Sequence, residues 1–92
     1  MKLSSNSDLH RYLLQLAKDL ALLRSPELAD IVTSASRHAS GLSTEFLGES
    51  RIALREVQSR GHSVLGEQAR ADLADVLRQL DAALGRSNRP AP

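Results

Sequence analysis

The chain contains no cysteine, which excludes both a disulfide framework and a thiolate metal site. Tryptophan is also missing, and tyrosine and phenylalanine occur once each, as Tyr12 and Phe46. A core must therefore come from Leu, Ala, Val and Ile, and leucine-dominated cores are well driven but poorly specified. Apolar runs are short. The longest, Leu20 to Leu23, falls far below the roughly 20 residues that a membrane span needs. Met1-Lys2-Leu3 passes directly into Ser4, Ser5, Asn6, Ser7 and Asp8 with no apolar leader, so a soluble cytoplasmic protein without membrane attachment is expected. Charge of one sign is lacking as well. Twelve Lys and Arg stand against eleven Asp and Glu, and setting aside Arg86 and Arg89 of the tail leaves the body at −1. Ten of those cations are arginine, a bias that nucleotide composition explains as readily as any need for guanidinium chemistry.

What the chain does have is leucine at helical spacing. Leu9, Leu13, Leu16, Leu20 and Leu23 recur at alternating steps of four and three, which places them on one helical face. Sixty-four residues later the pattern returns, with Asp8, Leu9, Leu13, Gln15, Leu16 and Leu20 matched by Asp72, Leu73, Leu77, Gln79, Leu80 and Leu84. Heptad-like leucine spacing alone accounts for much of that match, so it is not read as a duplication. The two seams are expected to face each other in the core.

The punctuation divides the chain into four helices, at about 6–24, 26–40, 44–60 and 66–84. Ser5 with Asp8, or Ser7, caps the first. Ser25-Pro26-Glu27 opens the second: Ser caps, Pro occupies a position whose N–H needs no partner, and Glu suits the positive end of the dipole. Leu28, Ile31, Val32, Ala35 and Ala39 form its apolar stripe. Gly41 is placed to stop that helix, with Ser43 or Thr44 capping the third and Leu42 packing on Leu47. Phe46, Leu47, Ala53, Leu54 and Val57 line the third helix's inner face, with Ser50 among them. Gly61 ends it, Val64 and Leu65 plug the core, and Gly85 stops the fourth. Three short connections favour antiparallel neighbours, hence an all-α, four-helix up-down-up-down bundle over residues 1–85. Residues 86–92 have nothing to bury and are expected to form a disordered tail.

Signs of chemistry are sparse. His10, His38 and His62 are far apart, and no His-xxx-His or His-Glu-xx-His spacing places two ligands on one face. Glu45, Glu49, Glu56, Asp72 and Asp75 fall on outer arcs without the Glu-xx-His pairs of a di-metal bundle. Glu56 and Arg60 form an i,i+4 pair. Gly-x-Ser-x-Gly and phosphate-binding glycine loops are absent. No enzymatic activity, cofactor or metal is expected.

Two binding readings remain. Helices 2 and 3 could form a DNA-binding helix-turn-helix presenting Arg51, Arg55 and Gln58 to a groove. Glu45, Glu49 and Glu56 on the same helix and the lack of basic excess count against it. Protein contact is the better reading. Leu14 and Leu22 lie at or beyond the edge of the helix 1 seam, and Ile52 points away from the core stripe of helix 3. With Tyr12 as a rim anchor, these residues are the expected contact surface, and a symmetric homodimer is its simplest form.

Overall fold

The computed structural model describes residues 2–40 and 43–87. Four α-helices run in order: α1 (Asn6–Leu22), α2 (Pro26–Ser36), α3 (Ser43–Arg60) and α4 (Glu67–Ser87). A single 3₁₀ turn, Arg37–Ser40, continues α2, and no strand occurs among the described residues. The protein is all-α. No helix among the described residues is long and apolar enough to cross a membrane.

Both leucine seams are buried in one cluster. Leu9, Leu13, Leu16 and Leu20 of α1 join Leu73, Leu77 and Leu80 of α4, with Val32, Phe46, Leu54 and Val57 between them. The closest backbone approaches are α1 with α2, α3 with α4 and α2 with α3. The two seams therefore share one core without a tight α1–α4 crossing. Leu65 plugs the end of this core as expected, while Val64 is half-buried. Ala29 replaces the half-buried Ile31 and Ala39 among the fully buried positions of α2.

Local chemistry explains the helix ends. At the start of α1, the Ser5 hydroxyl accepts the Asp8 N–H at 3.3 Å. The return bond of a capping box is displaced by one residue: Asp8 Oδ2 accepts from Ser4 N–H at 2.9 Å and from Ser4 Oγ at 2.8 Å. Asp8 Oδ1 also receives the Arg11 guanidinium at 2.7 Å.

Helix α1 stops at Leu22, two residues before the expected end, because Arg24 adopts a left-handed conformation with φ 63°. Ser25 N–H donates to Leu20 O at 2.9 Å and Arg24 N–H to Ala21 O at 3.2 Å. This is the pair of bonds that defines a Schellman ending. Leu23 is left at the cap, turned away from the seam and 45% exposed, which corrects its expected place in the core. Ser25 precedes α2 as expected, yet its side chain makes no capping bond, and Pro26 and Glu27 carry the start signal.

The expected stop at Gly41 and staple at Leu42 lie outside the described residues. Helix α3 begins at Ser43, so Thr44 is inside its first turn. Gly61 follows the end of α3 without a left-handed φ. A Cβ there would lie 2.8 Å from Val57 O and 3.1 Å from Leu28 Cδ1, so close approach is the reason for glycine at this site. Gly85 does not stop α4, which continues through it to Ser87. Glycine permits a left-handed ending but does not impose one, and nothing near Gly85 obstructs further turns. Residues 88–92 of the expected tail lie outside the described residues.

Ion pairs fix the neighbours. Arg60, at the end of α3, reaches Glu27 at the start of α2 at 2.9 Å and Glu56 on its own helix at 3.2 Å. Arg70 Nη1 donates to His62 O at 3.0 Å and Leu65 O at 3.1 Å, fastening the connection between α3 and α4.

Candidate functional site

Helical geometry scatters the expected contact residues over two faces. On α1, Leu14 is 45% and Leu22 75% exposed, while Tyr12 lies half-buried on the other flank. Ile52, on α3, is 63% exposed. It borders a groove of about 250 Å³ between α2 and α3, lined also by Ile31, Ser34, Ala35, His38 and Glu49. The structure thus pairs Ile52 with Ile31 and does not bring Leu14 or Leu22 to the same place.

Tyr12 belongs to a different site. A cavity of about 480 Å³ lies between the first four turns of α1 and the start of α4, with Leu3, Tyr12, Leu16 and Ala69 as its apolar lining. Asp19 and Asp72 lie on its rim, and Lys2, Asp8 and Arg11 also border it. Burial, reinforced by the negative charges of Asp72 and Asp19, pushes the Tyr12 phenol above its ordinary ionisation range. The ring packs against the core as well as bordering the cavity. Leu3 N–H donates to Gln79 Oε1 at 2.8 Å, tying the segment before α1 to α4.

The carboxylates follow their immediate partners. The Ser4 backbone and hydroxyl, with Arg11, hold Asp8 below its usual range. Asp75 is lowered in the same direction, first by its bond from Arg78. Glu45 Oε1 lies 3.0 Å from His38 Nδ1. No group of three or more His, Asp or Glu able to hold a metal ion occurs among the described residues.

The arginines considered for DNA contact converge on one carboxylate. Arg51 and Arg55 approach Asp81 Oδ1 of α4 at 3.4 and 3.1 Å. Gln58 lies further along α3, beside His62, Leu65 and Arg70. Both guanidiniums therefore bridge α3 to α4, and a phosphate would have to compete with Asp81 for them.

No protein-family model matches the chain, and neither a curated protein nor a solved structure matches it.

Sequence reasoning found one feature of these surfaces and missed two. The acids around Ile52 were legible, since Glu45, Glu49 and Glu56 stand seven and three residues before it and four after. Ile31 as its neighbour required the pairing of α2 with α3. Asp81 as the anchor of two arginines required the pairing of α3 with α4.

Proposed function

We propose that this chain is a small, non-enzymatic helical module of the cytoplasm that works by binding protein, including a second copy of itself as a homodimer. One observation carries the reading: a chain of 92 residues leaves Leu14, Leu22, Leu23 and Ile52 substantially exposed. Single exposed leucines are ordinary. Here they accompany a core with one phenylalanine, and small domains of this kind gain buried area by association. Leu14, Leu22 and Ile52 are the contact residues, and Tyr12, on the other flank of α1, is not among them.

The same proposal takes the four helices as one up-down-up-down bundle, with any tail beginning after Ser87, where α4 ends, and not after Gly85. Arg60 reaching Glu27, together with His38 meeting Glu45, supports antiparallel α2 and α3. Asp81 beside Arg51 and Arg55 supports the same relation for α3 and α4, and Leu3 on Gln79 supports it for α1 and α4.

Molar mass in solution, followed by light scattering across a dilution series, tests the function. The expected result is a dimer that dissociates on dilution, with Leu14→Glu weakening it by about tenfold or more. A wild-type monomer at every concentration up to the solubility limit would refute the proposal.

A further inference from the structure

The two exposed apolar faces carry opposite charge. On α1, Arg11 precedes Leu14 by three residues, and Lys18 lies four after Leu14 and four before Leu22, so a basic stripe interleaves with the leucines. Asp8 holds Arg11 from the edge of that stripe, and Lys18 has no ion pair among the described residues. Arg24 is exposed just beyond Leu22. On α3, Ile52 shares its stripe with Glu45, Glu49 and Glu56, while Arg55, three residues after it, is turned to Asp81 of α4. His38 engages Glu45 and Arg60 engages Glu56, while Glu49 lines the groove with no ion pair among the described residues. At about 250 Å³, this groove is smaller than the roughly 300–1,000 Å³ of small-molecule pockets and is scaled to a side chain.

We propose that the α1 stripe of one copy docks on the α2–α3 groove of a second copy. Leu14 and Leu22 then cover Ile31 and Ile52, and Lys18 lies against Glu49. This rests on the self-association proposed above and specifies which surfaces meet. Charge selects the pairing. The α1 stripe against itself would oppose Lys18 to Lys18, and the α3 stripe against itself would oppose Glu49 to Glu49, the glutamate there without an ion pair among the described residues. Like charges facing each other disfavour both arrangements. In a twofold dimer the contact between unlike faces is made twice, since each copy offers both surfaces.

Mixing two blocked variants tests this. Leu14→Glu spoils the α1 stripe and Ile52→Glu spoils the groove, and both sites are exposed, so circular dichroism should match wild type. Each variant alone is expected to be monomeric at a concentration where wild type is dimeric. An equimolar mixture is expected to recover a dimer weaker than wild type, because one of its two contacts joins an intact stripe to an intact groove while the other carries both substitutions. If either variant fails to fold, the deciding measurement becomes a charge exchange. Lys18→Glu and Glu49→Lys each weaken the dimer, and the two combined in one chain restore it. A dimeric wild type without recovery in the deciding measurement overturns the docking and leaves self-association standing. A wild-type monomer throughout overturns both.

Discussion

Ser50 is fully buried on the inner face of α3, and its Oγ has no hydrogen-bond partner among the described residues. A buried hydroxyl without a partner retains the cost of leaving water, so its removal is favourable. Ser50→Ala is expected to raise stability by about 1 kcal/mol, read as a higher denaturant midpoint at unchanged slope. Two glycines make a paired test at the same scale. A Cβ on Gly48 meets nothing within 4 Å, so glycine there is tolerated and fills no packing need. Gly48→Ala should stabilise by roughly 0.5–1 kcal/mol. Gly61→Ala should cost about 1–3 kcal/mol, because the new methyl enters against Val57 O and Leu28. Thermal melts of the two variants should shift in opposite directions. Spacing places Gly48 inside a helix but does not distinguish tolerance from close contact there. That difference depends on what surrounds the residue, which spacing along one chain does not encode.

At the scale of the helices, a residue with a Cβ occupies a position that glycine usually fills. Arg24 ends α1 with φ 63°, and a non-glycine residue in that region is strained by its own Cβ. Arg24→Gly is expected to stabilise the fold by up to about 1 kcal/mol while keeping the two Schellman bonds. Calorimetry would show this as a raised Tm. The beginning of α1 responds to pH. Asp8 has its folded ionisation below the unfolded 3.8, owing first to the Ser4 bonds and then to Arg11. Between those two values the unfolded chain binds more protons, so the Asp8 contribution is full above the unfolded value and declines as pH falls through the folded one. Asp8→Asn should flatten the acid limb of a Tm-against-pH curve and leave the alkaline limb unchanged. Periodicity made all four helices legible, as did the Ser5 cap and the proline start of α2. The end of α1 was not, because an arginine in the left-handed region carries no compositional signal. Gly85 gave the opposite error, where a common stop residue lies inside a continuing helix.

For the molecule as a whole, association couples to stability. A dimer that forms only from folded chains has a Tm that rises with protein concentration. Wild type is expected to show this rise and Ile52→Glu to show none, measured by melts across a wide concentration range. The shared core of the two leucine seams was legible because apolar stripes of four leucines have few other places to be buried. Leu14, Leu22 and Ile52 were also legible as exposed, since each departs from the phase of its own helix. What joins to what was not. The meeting of Ile52 with Ile31, and of Asp81 with Arg51 and Arg55, depends on how whole helices lie beside one another.

The placement of Tyr12 has an optical consequence. With no tryptophan in the chain, this one ring supplies essentially all of the near-ultraviolet absorption and intrinsic emission. It reports from one place, the junction where α1 meets Asp72 of α4. Loss of its emission polarisation or its near-ultraviolet dichroism therefore registers separation of the first and last helices. Far-ultraviolet dichroism registers all four together. The chain carries its own local probe, and unfolding curves from the two signals coincide only if that junction opens with the rest of the fold.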